Sequence, residues 1–225
     1  MILITIHELG HFLTAIFFKF DIDKIYFYPY GGISKFNLQL NVLLYQELLV
    51  LVMGPIFQLL VFFLLLHINY FSHYTNLIYS INYSILLFNF LPIYPLDGGK
   101  LLNIIFNYKF NFQTSLKLII IISYITVILI FIYFLNSSFT LNTIFMISFL
   151  LYKITEENKK RKYYYDKFLL ERYLNNYKFK KRKQINSVSD FYRDKSHIIK
   201  GKDGYHTEKE ILLKKFTRKC WHLKK

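Results

Sequence analysis

The chain has 225 residues, 54% of them hydrophobic and 20% aromatic, and a formal net charge of +15. Its apolar residues lie in long runs rather than spread through the chain, which excludes an ordinary water-soluble globule. Cys220 is the single cysteine, so no internal disulfide forms and no oxidising compartment is implied.

Five apolar spans follow in chain order: A at 1–18, B at 43–66, C at 77–96, D at 117–135 and E at 139–152. Residues 48–66 are interrupted only by Gly54, Pro55 and Gln58, and residues 118–135 carry no charge. Both reach the ~18 apolar residues that a membrane-crossing helix needs. Span E is short and is expected to be tilted or partly inserted. Between A and B, residues 24–35 are β-branched and aromatic, with Pro29 and Gly31-Gly32 as turn chemistry. They predict a small hairpin lying at the membrane surface or dipping into it. No basic n-region or small-residue cleavage site precedes span A, so a secretory signal layout is not expected.

Charge sets the orientation. Residues 1–152 carry a net +1 and residues 153–225 a net +14, which puts the border between membrane and water near Lys153. The A–B loop holds Lys19, Lys24 and Lys35, and the C–D connection holds Lys100, Lys109 and Lys117. The B–C and D–E loops hold no Lys or Arg. The basic loops and the basic tail share one side, which the positive-inside rule makes the cytosol. Met1 then falls outside, and span A barely crosses a ~30 Å core. One further span upstream is therefore expected. The fold expected is an all-α polytopic membrane protein of five or so transmembrane helices. It has a small β-hairpin after the first helix and a short basic cytosolic tail. The membrane core occupies residues 1–155 and the tail residues 156–225.

Two motifs break the apolar pattern. Span A contains His7-Glu8-Leu9-Gly10-His11, and span C ends in Asn89 and the stretch from Leu91 through Pro92 and Pro95 to Asp97-Gly98-Gly99. Residues four apart share a helix face, so His7 and His11 can grip one Zn²⁺ and leave room for a third ligand. Glu8 stands where a general base is needed. Gly10 keeps one helix face small enough for a close neighbour. Ionisable groups are costly at membrane depth, which marks these residues as functional. Asp97 is the natural third ligand. It also suits the cap of the next helix, and spacing alone does not choose between the two. Asn89 could bond a substrate backbone or a neighbouring helix. Pro92 and Pro95 break span C, and irregular backbone at this depth is tolerated where it lines a watery cavity.

These residues resemble the site-2 protease family of intramembrane zinc metalloproteases, peptidase family M50. His7, Glu8 and His11 match its first motif, and Leu96-Asp97-Gly98 the core of its second. Tyr28-Pro29-Tyr30-Gly31-Gly32, Gly54-Pro55-Ile56-Phe57-Gln58, the stretch from Leu91 to Leu102, and Phe168-Leu169-Leu170-Glu171-Arg172-Tyr173 look most like its sporulation branch. The likeness runs in order from residue 1 to about 175. It implies a zinc endopeptidase in which His7, His11 and Asp97 ligate the metal and Glu8 is the base. It implies pro-sigma-K as substrate, a place in the mother-cell membrane around the forespore, and inhibitory membrane proteins as partners. The family core has one span before the histidine helix, which agrees with the expected upstream span. Family members of this kind end in a regulatory domain of the cystathionine-β-synthase type. About fifty residues follow Tyr173 here, enough for one hairpin and helix of it, at residues 201–213.

Other residues carry less. His67 and His73 suit an interface, while His197, His206 and His222 show no ligand spacing. Glu47 lies at a membrane edge with no catalytic role expected, and Gly54-Pro55 is expected to serve packing or a kink. The basic tail suits anionic lipid head groups first and an acidic substrate protein second. No nucleic-acid-binding signature accompanies its charge, so nucleic acid is not expected as a partner. The competing readings are a housekeeping member of the same family, acting on anti-sigma factors or signal-peptide remnants, and a catalytically inactive membrane scaffold.

Overall fold

The computed structural model describes residues 2–20, 22–28, 31–36, 40–67, 75–136, 140–175, 177, 179, 181–201 and 204–222. The expected turn at Pro29, His73 and residues 137–139 of the D–E loop lie outside these residues. Helix α1 (Ile2–Phe17) leads into strands β1 (Ile22–Tyr28) and β2 (Gly31–Phe36), which pair antiparallel as the expected hairpin. Helices α2 (Leu44–His67), α3 (Thr75–Asn89), α4 (Asp97–Lys109), α5 (Phe112–Asn136) and α6 (Leu141–Leu174) follow. The chain then folds into β3 (Lys181–Ile185), β4 (Lys195–Gly201), β5 (Gly204–Thr207) and α7 (Glu208–His222).

Helix α1 buries Leu3, His7, Gly10, His11 and Ala15 along one side, the spacing of one helical face. That face lies on α2 with almost no side chain between the two backbones. A Cβ at Gly10 would stand 2.6 Å from the Met53 carbonyl oxygen and 3.0 Å from the Gly54 Cα. Helix α2 runs unbroken through Pro55, so Gly54 serves close packing here.

Helices α2 and α5 have 24 and 25 residues, or roughly 36–38 Å of length at ~1.5 Å per residue. Both are long and apolar enough to cross a membrane, yet only 28% and 22% of their apolar windows are buried inside the protein. A core helix of a soluble protein would be mostly covered. Here Phe63, Leu64, Leu129 and Tyr133 are all more than half exposed. Such surface belongs in lipid, and the protein is membrane-embedded.

The helix of span C ends at Asn89 and the chain runs on as a loop through Pro92 and Pro95, the expected break; the Tyr94–Pro95 peptide is cis. Two elements differ from expectation. The helix of span E continues through Lys153 to Leu174. Glu156 binds Lys160 one turn on at 2.5 Å, so the charged segment stays helical. The tail also departs from the all-α reading: β3 pairs parallel with β4, and β4 antiparallel with β5, in a three-stranded sheet. Within residues 201–213, Gly204–Thr207 form β5 and α7 begins at Glu208.

The C-terminal unit is anchored by one apolar cluster that joins Ile185, Phe191, Ile199 and Leu212 to Phe168 and Leu169 of α6, Phe112 and Leu116 of α5, and Leu40 ahead of α2. Arg172, 4% exposed, runs through this core. It donates to Asn41 Oδ1, to Glu208 Oε1 and to the carbonyls of Tyr192, Arg193 and Lys195, at 2.6–2.9 Å. A buried guanidinium is tolerable only when its donors are met in this way.

Candidate metal centre

The two histidines of α1 stand one turn apart, their ring centroids 4.8 Å from one another and their planes nearly perpendicular. Asp97 reaches them from the first turn of α4. His7 Nε2 and His11 Nε2 are 3.1 Å apart, and Asp97 Oδ2 lies 3.0 Å from the first and 3.1 Å from the second. The three donor atoms make a nearly equilateral triangle, with both histidines buried.

The other ring nitrogens fix the tautomers. His7 Nδ1 is 2.8 Å from Gln58 Oε1. The Gln58 amide nitrogen in turn donates to Asn82 Oδ1 at 2.9 Å and to the Asn82 carbonyl at 3.2 Å, so the oxygen must face His7. His11 Nδ1 is 2.8 Å from the Val50 carbonyl, which can only accept. Each Nδ1 therefore donates its proton away from the centre, and each Nε2 turns a lone pair inward. Two imidazole lone pairs and a carboxylate oxygen at 3.0–3.1 Å repel one another unless a cation lies among them. A tetrahedral zinc site with bonds of 2.0–2.1 Å has ligand-to-ligand edges of about 3.3 Å. The nitrogen, nitrogen and oxygen set matches zinc in type and nearly in span, so the group can hold a metal.

The loop before α4 delivers Asp97. Its backbone presses on the start of α4: a Cβ at Gly98 would lie 2.3 Å from the Phe90 carbonyl oxygen, and one at Gly99 2.5 Å from Ile93 backbone. Buried Ile93 and a hydrogen bond from the Tyr94 N–H to Ser123 Oγ at 2.9 Å pin this loop to α5. The N-cap position is Leu96, without a side-chain cap bond. Asp97 is thus inside the helix and turned to the histidines, and the capping alternative does not hold. Its second oxygen accepts from Lys100 Nζ at 3.2 Å.

Glu8 is partly exposed and stands within electrostatic range of His11, Lys100, Asp97 and His7, outside the converging triangle. Asn89, the last residue of α3, places its amide nitrogen 3.5 Å from His7 Nε2, at the rim of the centre. Sequence reasoning gave Gln58, Asn82, Val50 and Lys100 no role at this centre. Gln58 carried a usable signal, since a polar side chain inside an apolar span is as costly as the histidines it serves. The Val50 carbonyl left no trace in residue type. Gly54 shows its role only in three dimensions: a Cβ there would be 2.3 Å from the His11 ring.

A helical membrane frame that buries two histidines and sets a half-buried carboxylate against them presents a group that can hold a metal. Comparison with known proteins makes this specific. The sequence model of peptidase family M50 matches residues 1–74 and 65–133, and the chain belongs to that family. It is 32% identical over 178 residues to Stage IV sporulation protein FB of Bacillus subtilis (strain 168), covering 77% of this chain and 62% of that protein. It is 28% identical over 122 residues to a zinc metalloprotease of Methanocaldococcus jannaschii, covering 51% of this chain and 35% of the relative. The chain thus spans less than two thirds of the length of either curated relative. The solved site-2 protease from Methanocaldococcus jannaschii shares the fold, with a TM-score of 0.55 and 23% identity over 69% of this chain and 74% of that one.

Proposed function

We propose that the chain is a zinc-dependent intramembrane endopeptidase. The observation that carries this is the inward-facing triangle of His7 Nε2, His11 Nε2 and Asp97 Oδ2, set in an apolar frame. His7, His11 and Asp97 would hold the metal, which when bound would supply Lewis acidity to a peptide carbonyl and to a water. Glu8 would take the proton of that water as its oxygen bonds the carbonyl carbon, and would return it to the amine nitrogen as the C–N bond breaks. Gln58 and Val50 keep both imidazoles in the ligating tautomer. Asn89 offers its amide to the substrate backbone at the rim. The irregular loop at 90–96 gives an unwound substrate segment a path to the centre, since helical peptide bonds are shielded.

The substrate proposed is a membrane-associated pro-protein, most specifically pro-sigma-K during endospore formation. The likeness to a sporulation protein supports this, as does the motif set of the sporulation branch. Five spans, a cytosolic C-terminal unit after about residue 155 and a place in the mother-cell membrane around the forespore belong to the same reading. So do inhibitory membrane partners. Co-expression with pro-sigma-K from the same organism, read by immunoblot, tests it. Cleavage by the unmodified chain and none by Glu8→Gln is expected. Cleavage by both contradicts the mechanism, and cleavage by neither contradicts the substrate.

A further inference from the structure

One face of α2 links the metal centre to the C-terminal unit. Glu47, Val50, Gly54 and Gln58 are spaced by three, four and four residues, so they line a single stripe of the helix. Gln58 accepts from His7, Gly54 lies against the His11 ring, and Val50 accepts from His11. At the end of the stripe, Glu47 Oε2 meets Arg193 Nη1 at 2.7 Å. The distance from Glu47 to Gln58 along the axis is about 16 Å.

Arg193 belongs to the C-terminal unit, and its side chain is 3% exposed. Its Nε donates to the Leu40 carbonyl at 2.7 Å. The residues just ahead of α2 are gripped from the other side as well. Glu171 accepts from the Leu40 N–H at 2.9 Å, and the Asn41 amide donates to the Phe168 carbonyl at 3.0 Å. The start of α2 is therefore held in rotation and in height by groups from α6 and the C-terminal unit. A helix fixed at one end carries that setting along its length, because its backbone is stiff over three turns.

We propose that Arg193 and Glu47 are positioning residues for the metal centre. Their ion pair lets the C-terminal unit set the seating of α2, and through Val50 and Gln58 the orientation of both metal-binding histidines. The inference rests on the metal reading above. Arg193 touches neither metal nor substrate; it acts through α2. The residues it controls are hydrogen-bond partners of ligands, whose loss typically weakens metal binding by ~10–100-fold.

Cobalt titration of the purified full chain, stripped of metal and held in detergent, tests this. The visible ligand-field bands of bound Co²⁺ report both affinity and coordination. For Arg193→Ala and Glu47→Ala, binding about tenfold weaker and shifted bands are expected, at the mild end of that range. The double variant is expected to lose no more than the worse single one, as residues acting as a unit do. Arg193→Lys keeps the charge and is expected to restore most of the affinity. If Arg193→Ala does not fold, Glu47→Gln carries the same comparison, with Arg193→Lys as the variant that keeps the affinity. Bands and affinity in Arg193→Ala, Glu47→Ala or Glu47→Gln equal to the unmodified chain, or losses that add, overturn the coupling. Absence of cobalt bands in the unmodified chain overturns the metal reading and the coupling with it.

Discussion

His7 and His11 can offer Nε2 to a metal only in one tautomer, and two acceptors on α2 select it. Gln58 faces His7 with its oxygen because both of its amide hydrogens are taken by Asn82. Removing that oxygen frees the His7 ring to rotate and to carry its proton on the ligating nitrogen. Gln58→Ala is therefore expected to weaken zinc binding by ~10–100-fold while leaving the helices folded. Isothermal titration of the metal-free chain checks this; unchanged affinity would deny Gln58 its role. The pattern of His7, Glu8 and His11 was legible in the sequence because helix spacing alone puts both histidines on one face. Asp97 was legible only as one of two options, because its orientation depends on a loop pinned by Ile93 and Ser123 from distant parts of the chain. Gln58 was not read as a partner, because a lone amide in a span can serve any neighbour.

Helix α6 shows why a charge border is not a helix border. Apolar residues up to Leu151 suit lipid and those after Lys153 suit water, yet the backbone hydrogen bonds continue through both. At its far end, Arg172 fastens α6 to the C-terminal unit, and burial pulls its guanidinium down to about 10 against the opposing pull of Glu208. His197 stands beside it. Its Nε2 accepts from the Tyr192 N–H at 2.9 Å, and its Nδ1 faces Glu208. Burial holds the His197 pKa below its usual value; the Glu208 hydrogen bond opposes this and the Arg172 charge adds to it. The unfolded chain takes up this proton near pH ~6.5 and the folded chain only at lower pH. The stability His197 contributes is thus full above about pH 6.5 and is lost as pH falls below it. Urea unfolding of the C-terminal unit, followed by amide hydrogen exchange in β4 and α7, is expected to shift to lower urea between about pH 7.5 and pH 5.5. His197→Gln is expected to flatten that dependence, and an unchanged slope would rule His197 out as its source.

Over the whole molecule, charge and apolar surface divide the chain into a neutral membrane part and a basic C-terminal part. The apolar runs were legible because the bilayer demands length and composition that few other settings do. The three-stranded sheet was not. Its parallel pairing of β3 with β4 joins segments across an intervening loop, and Lys181, Arg182 and Lys183 on β3 read simply as charge. Basic loops on one side predict a cytosolic C-terminus. Green fluorescent protein fused after Lys225 is expected to fluoresce in cells, whereas alkaline phosphatase at the same point is expected to be inactive. The reverse pair of results would invert the topology. Elemental analysis of the purified chain measures whether α1 and the start of α4 share a metal. One zinc per chain is expected, kept by Glu8→Gln and lost by His7→Ala and Asp97→Ala. Zinc retained by His7→Ala and Asp97→Ala, or none in the unmodified chain, rules the metal centre out.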